Sequence, residues 1–343
     1  MRVTHEIAIG YKDVFLVPNK CIVRSRKEVD TSYFLPLGEL DYSTTEDIFN
    51  QTKKTLPLFK NFRLPIIPAN MKSVVDYRTY EKYSELGLMP IMHRFNVDLV
   101  SFLSGVQGEW RAISVGINNQ DLIQLQRISQ ELTVNKQPHL ICIDIAHGHS
   151  DSVKEMIGAI KTLFKEPRIC PIIMAGNVTT PEAVEDLQSW GADIIKVGIG
   201  PGQVCSTKNK TGFHVPMFTA VKECARVAKV PIVADGGIRE TGDIAKALVA
   251  GADLVMVGGM FAACTDSPAV IIDGKKEYYG SASAHNKGYN QNIEGFHIHL
   301  SPTMSIEDKV KEIQEDLQSA ISYAGGKDLS ALDLSRVKYN IVK

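Results

Sequence analysis

Long apolar runs are missing from this sequence, and no stretch approaches the roughly 18 consecutive apolar residues that a membrane-spanning helix needs. The N-terminal MRVTHEIAIGYKDVF carries polar residues where a secretory leader would have its apolar stretch. The cysteines, at 21, 142, 170, 205, 224 and 264, include no CxxC pair and no regular spacing, which argues against a disulfide framework and for reduced thiols in a cytoplasmic protein. Neither sign of charge is in excess. The 38 Lys and Arg against 39 Asp and Glu leave a formal charge of −1, so there is no overall basic footprint for nucleic acid. What remains, 343 residues at 44% hydrophobic and 22% charged, is the composition of a soluble enzyme able to bury a full core.

An internal repeat organises the chain. Residues 171–200, PIIMAGNVTTPEAVEDLQSWGADIIKVGIG, align without a gap on residues 231–260, PIVADGGIRETGDIAKALVAGADLVMVGGM. Each copy reads as an apolar strand, a glycine turn, an amphipathic helix and a second apolar strand, a unit with a parallel return. Thr180 and Thr241 are the expected N-caps, with Gly191 and Gly251 just past the helix ends. The same rhythm places strands at 64–69, 88–93, 111–116, 139–145, 169–175, 192–198, 230–234 and 252–257. Helices fit between them near 73–86, 97–107, 119–132, 150–165, 180–190, 216–228 and 239–250, and a last one lies near 305–323. Eight such units favour an α/β fold built as one (β/α)8 TIM barrel, a single domain over residues 1–343. Three stretches fall outside the rhythm: an N-terminal extension, 1–63, expected to cap the barrel floor; a long loop, 199–215; and a flap excursion, 262–304, expected to be mobile.

Barrel enzymes keep their chemistry on the loops after their strands. Here those loops offer Asn70-Met71-Lys72-Ser73, His93-Arg94-Phe95, Ala146-His147-Gly148-His149, Gly176-Asn177, Asp235-Gly236-Gly237 and Gly258-Gly259. Glycines after the seventh and eighth strands let backbone N–H groups approach a phosphate, and Asp235 is suited to accept hydrogen bonds from ribose hydroxyls. The sixth loop, GIGPGQVCSTK, delivers the thiol of Cys205 to the barrel mouth with Thr207 two residues on. A nucleophile and an inert buried thiol both remain open for it on composition. A zinc site at Cys142, His147 and His149 lacks a second cluster to complete it. His297 and His299, on one face of an extended stretch, read as solvated.

GIGPGQVCSTK followed by KTG, then ADGGIR, GGMF, YYGSAS and DLQSAISYAGG, resemble the IMP dehydrogenase/GMP reductase family, and the resemblance runs from LVPNKCIVRSRKEVD over nearly the whole chain. It implies a (β/α)8 barrel, usually tetrameric, that binds a purine nucleoside monophosphate. Cys205 matches the nucleophile that attacks C2 of the purine to form a covalent thioimidate, with a hydride passing between C2 and a nicotinamide cofactor. Backbone carbonyls matching Gly200, Gly202, Cys205 and Lys208 hold a monovalent cation, K+, in the family. An ordinary helix separates the second and third strands, leaving no room for the dehydrogenases' inserted regulatory domains, and the flap sequence AHNKGYNQNI lacks their arginine. The resemblance therefore leans to the reductase branch: GMP and NADPH giving IMP, ammonia and NADP, in purine nucleotide salvage. Thr207 and Glu294 match the pair that protonates the departing ammonia.

Carried over by motif, Asp235, Gly236, Gly237, Gly258 and Gly259 hold ribose and phosphate. Gly280, Ser281 and Ala282, with Gln291, Asn292, Ile293 and Gly295, close over the nucleotide. Arg94, Phe95, Asp144, Ile145 and Ala146 line the cofactor side. Ser25 and Arg26, from a neighbouring subunit, and Ser319, Ala320, Ile321 and Ser322 touch the cofactor's far end. The chain departs from the family pattern at Lys72-Ser73, Gln203, Arg94 and Ala284, and in the length of 37–60. These departures leave open the same chemistry on a modified purine nucleotide, and IMP oxidation to XMP with NAD is the other alternative.

Overall fold

Strands that are apolar on both faces need a covering layer on each side. In the computed structural model, which describes residues 7–41, 55–165, 170–287, 291 and 293–342, they have one. The strands, in chain order, are β1 (Val14–Leu16), β2 (Tyr33–Asp41), β3 (Thr55–Phe62), β4 (Ile66–Pro68), β5 (Ala112–Val115), β6 (Leu140–Asp144), β7 (Ile172–Val178), β8 (Ile194–Val197), β9 (Ile232–Asp235), β10 (Leu254–Val257), β11 (Ile271–Ile272), β12 (Lys275–Tyr279), β13 (His297–Leu300) and β14 (Tyr339–Ile341). Seven parallel strands form one sheet in the order β4-β10-β9-β8-β7-β6-β5. Every residue of β4, β5, β8 and β10 is buried.

The gap between β4 and β5 is filled by the segment expected to be the second strand. Met89 N–H donates to the Ile66 carbonyl at 3.2 Å, Met92 N–H donates to Ala112 O at 2.9 Å, and Ser114 N–H donates to Met92 O at 2.8 Å. The curled sheet thus closes as a (β/α)8 barrel. The expected strand 88–93 is reduced to a single bridge, Met92 to Ile113. Pro90 explains the difference, because it has no N–H for a ladder.

Helices Tyr77–Glu85, Leu99–Gly105, Asn119–Glu131, Asp151–Leu163, Pro181–Trp190, Met217–Ala225, Thr241–Val249 and Ile306–Tyr323 surround the barrel, each within a few residues of its expected position. Apolar spacing decides which face they bury. Val153, Met156, Ile157 and Ile160 form the inward stripe of one of them. In the first repeat copy Thr180 caps as expected, accepting from Ala183 N–H at 3.3 Å, and Gly191 ends the helix at φ +102°. The second copy differs. Thr241 is the first helical residue instead of the cap, and the Asp243 carboxylate accepts the N–H groups of Arg239 and Glu240 at 3.0 and 3.2 Å.

The repeated Gly-Ala-Asp has a structural cause. Asp193 accepts from Ile173 N–H at 2.8 Å, and Asp253 accepts from Ile232 N–H at 2.8 Å, so each aspartate ties the start of one strand to the start of its neighbour. Both carboxyls are pushed up by burial.

The N-terminal extension divides. Its β2–β3 hairpin brings Phe62 edge-on to Trp110 at 5.1 Å, at the end where the barrel strands begin. Ile9 and Tyr11 lie elsewhere: Ile9 N–H donates to Thr219 Oγ1 at 2.9 Å, and the Tyr11 carbonyl accepts from Lys246 Nζ at 2.9 Å, along the outer helices. The hairpin and residues 9–13 thus pack on different parts of the barrel. Among the described residues no helix is long and apolar enough to cross a membrane.

Candidate active site

The loop after β8 starts with a glycine that nothing else can replace: at Gly198, φ +148°, a Cβ would lie 2.1 Å from the Asp235 carbonyl oxygen. The loop then crosses the barrel mouth and ends in the short helix Thr207–Thr211, with Cys205 just ahead of it. Cys205 is half-exposed and opens into a cavity of about 630 Å³ over the ends of the strands. The Cys205 thiol donates to Thr207 Oγ1 at 3.2 Å, and the Thr207 hydroxyl donates to Glu294 Oε2 at 2.6 Å.

Residues 89 positions apart in sequence meet there because the flap is laced to the loop through its backbone. Cys205 bridges Gly295 in antiparallel fashion, Ser206 N–H donates to Glu294 O at 2.9 Å, and Phe296 N–H donates to Val204 O at 2.7 Å. Glu294 N–H in turn donates to Ala282 O at 3.0 Å, which brings the two arms of the flap together. The arms leave a three-stranded sheet, β11-β12-β13.

Beneath the thiol lies a charged cluster that the sequence analysis did not find. Lys196, 1% exposed, projects from the centre of β8 and donates from Nζ to Asp144 at 2.5 Å and to Asp235 at 2.7 Å. Asn177 donates to Asp235 at 2.8 Å and to the Gly198 carbonyl at 2.7 Å, while Asn70 donates to Asp144 at 3.1 Å. Burial alone would raise the Asp144 carboxyl, but Lys196, with Arg94 and Asn70, outweighs it and holds the carboxyl below its usual range. Burial would lower the Lys196 ammonium, and the two aspartates more than reverse that, so it stays protonated. The one signal in the sequence was a lone lysine inside the apolar run IIKV.

Most of the expected residues meet at this cavity. Cys205, Thr207, Glu294, Asp235, Gly236, Gly258, Gly280, Ser281, Ala282 and Gly202 line it, as do Arg94, Phe95, Asp144, Ile145 and Ala146. The Arg94 guanidinium stands over the Phe95 ring at 4.7 Å. Three polar atoms of the lining, Arg94 Nε, Asn177 Oδ1 and Asn286 Oδ1, are buried without a partner among the described residues. Asn118, in the strand-end loop Gly116-Ile117-Asn118-Asn119, lines the cavity as well, and Tyr278 and Met256 complete walls that sequence reasoning had not named.

Other expected residues lie apart from the cavity. Gly237 and Lys208 line a second hollow with Tyr11, His214 and Arg239. Gly259 faces Gln203, since a Cβ on it would meet Gln203 Oε1 at 2.9 Å. The Ile293 carbonyl accepts from Lys210 Nζ at 2.5 Å, Gln291 is exposed, and Asn292 lies outside the described residues. Arg26 reaches Ser319 Oγ at 2.9 Å and Tyr323 Oη at 3.1 Å, beside its capping neighbour Ser25 and away from the cavity. Ser322 bonds its own helix, Ala320 packs on the core, and Ile321 is wholly buried in it. Gly200, at φ +80°, packs on the Lys208 backbone, which brings two of the carbonyl-bearing segments of the loop together. Cys142 is buried in β6 and His149 pairs with Asp186 at 2.7 Å, so the two do not share a metal site with His147.

A parallel barrel with a cysteine loop over a cavity at the strand ends has the layout of a barrel enzyme. Comparison with known proteins narrows it. Residues 110–342 match the family model described as IMP dehydrogenase / GMP reductase domain. The chain is 44% identical over 342 residues to the GMP reductase of Lactococcus lactis subsp. lactis, covering 97% of this chain and 94% of the relative. It is 46% identical over 341 residues to the GMP reductase of Acidovorax sp., covering 97% and 95%. It is 43% identical over 342 residues to that of Staphylococcus aureus, covering 97% and 96%. The chain belongs to the IMP dehydrogenase/GMP reductase family.

Proposed function

We propose that the chain is a reductase that converts GMP and NADPH to IMP, ammonia and NADP through a covalent bond between Cys205 and purine C2. The observation that carries this reading is the hydrogen-bonded line from Cys205 through Thr207 to Glu294. Each hydroxyl and thiol in it donates toward the carboxylate, so the proton released as sulfur becomes nucleophilic has a path to Glu294. Sulfur bonds C2, the C2–N2 bond breaks, and the same line returns the proton to the departing amine, which leaves as ammonia. Reduction at C2 then expels the thiolate, and IMP is released.

The lining fits both ligands. Orphaned Asn177 Oδ1 and Asn286 Oδ1 suit the polar edges of a nucleotide, and Asp235 faces the cavity for a ribose. On the far side Ile145 and Ala146 offer an apolar wall, and Arg94, with its Nε free, suits the charge of a nicotinamide dinucleotide. When bound, that cofactor supplies the hydride. Asp144, Ile145, Ala146, Arg94 and Phe95 would hold it, and Ser25 and Arg26 would reach its far end from a neighbouring subunit of a homotetramer, with Ser319 beside Arg26. The carbonyls of Gly200, Gly202, Cys205 and Lys208 are hard oxygen donors of the kind a potassium ion takes, and such an ion would fix the loop that aims the thiol. The six free thiols favour a reducing, cytoplasmic setting and a role in purine nucleotide salvage.

Nicotinamide absorbance in two cuvettes tests the reading: one with GMP and NADPH, the other with IMP and NAD, both with potassium. Absorbance falling only in the first is the expected result. A rise only in the second would make the chain a dehydrogenase. Silence in both with GMP still bound would move the substrate to a modified purine nucleotide.

A further inference from the structure

We propose that the flap sheet carries a binding site for a divalent transition metal of the zinc class, formed by Glu277, His297 and His299. The register of β12 and β13 sets Glu277 opposite His299 and Tyr279 opposite His297. Side chains two apart on a strand share a face, so one carboxylate and two imidazoles stand together on one face of this sheet. One ligand atom from each of the three lies within 4.8 Å of the others.

The feature that asks for an explanation is Glu277. It is only 6% exposed, and its carboxylate finds a single partner among the described residues, His297 Nε2 at 2.9 Å. His297 meets one carboxylate oxygen, and the remaining lone pairs have no partner among the described residues. A third element adds to the cluster: the His285 ring, from the flap helix Ala284–Lys287, stacks on His297 with centroids 4.8 Å apart, and His297 lies 5.1 Å from the His299 ring. None of the four lines the active-site cavity, so the proposed reaction does not account for them.

Two imidazole nitrogens with one carboxylate form a donor set for zinc and its neighbours rather than for calcium or magnesium. Tetrahedral metal–ligand bonds near 2.1 Å place ligand atoms about 3.4 Å apart; with Glu277 and His297 now 2.9 Å apart and no ligand pair beyond 4.8 Å, only small side-chain shifts are needed on binding. His297 and His299 are exposed and have the freedom to make them. A metal there would pin β12 to β13, the two strands that lead into the flap arms at Gly280 and Gly295, and would therefore act on the flap from behind.

The test uses the full chain, freed of metal by chelator, titrated with Zn2+ under equilibrium dialysis and separately with Co2+ by visible absorption. The expected result is one tight equivalent of zinc, lost at least tenfold in affinity in both His299→Ala and Glu277→Gln. A His149→Ala control keeps wild-type affinity. Co2+ then gives visible bands without the intense near-ultraviolet absorption of a thiolate ligand. Because His299 is exposed, its variant folds even if Glu277→Gln does not, and unfolding without metal is compared for all of them. Zinc affinity within twofold of wild type in His299→Ala, a thiolate band with Co2+, or no tight equivalent at all would each overturn the proposal.

Discussion

Replacing Lys196 with methionine should cost more stability than any surface change and should do so in a pH-dependent way. The ammonium is 1% exposed and lies 2.5 Å from Asp144 and 2.7 Å from Asp235. At an effective dielectric near 20, each such contact is an attraction of about 6 kcal/mol, offset by several kcal/mol for taking the charges out of water. Methionine fills much of the same volume but leaves two partly buried carboxylates, each 19% exposed, without their cation, a situation that costs up to about 3–5 kcal/mol. With an unfolding entropy of about 2.1 cal/mol/K per residue, that is a fall of up to roughly 4–7 °C in melting temperature for a chain of this length.

The sign of the pH effect follows from Asp144. Its carboxyl is held low in the wild type, so its contribution is present at neutral pH and is lost only as pH falls through that low value. Without Lys196, burial dominates and raises the carboxyl, so the variant gains stability as pH falls and the group takes up a proton in the folded state first. Thermal unfolding of both proteins at pH 8 and pH 5 measures this. The gap between them should shrink at pH 5. A loss under 1 °C at pH 8, or a gap that widens at pH 5, would refute the reasoning.

Thr207→Val keeps shape but breaks the line to Glu294. It should lower kcat for GMP reduction by about a hundredfold or more while GMP still raises the melting temperature, and Glu294→Gln should do the same. Steady-state kinetics beside a thermal-shift titration checks both, and a change confined to KM would speak against a proton relay. In a timed alkylation read by peptide mass, Cys205 should react well before Cys142, Cys224 and Cys264, all buried. Burial also pushes the thiols of Cys224 and Cys264 up to about 12. GMP should protect Cys205 and leave exposed Cys21 unaffected; equal labelling of Cys205 and Cys224 would contradict the site geometry.

Much of the barrel was legible because apolar runs, glycine turns and the 60-residue repeat are local signals. The Thr180 cap and the left-handed Gly191 and Gly251 follow directly from residue type. The second strand was misjudged because its apolar pattern hid what Pro90 does to a ladder, and the Thr241 cap because Asp243 competes for the same N–H groups. Cys205, Thr207 and Glu294 were found through motif resemblance; no local pattern says that a flap carboxylate reaches a hydroxyl in another loop. Lys196 was missed for a physical reason. In a strand buried on both faces hydrophobic periodicity is silent about which side chains point to the barrel axis, so one lysine in IIKV carries no direction. The cluster at Glu277, His297 and His299 depends on strand register across a long connection, which spacing within either strand does not reveal.

Turnover by Cys205→Ala bears most directly on the account as a whole. With GMP binding verified by thermal shift, NADPH oxidation should fall by about a thousandfold or more, because the step that divides the substitution in two has lost its nucleophile. Turnover within tenfold of the wild type would mean that the chemistry at C2 does not pass through this sulfur, and the role assigned to the loop after β8 would fall with it.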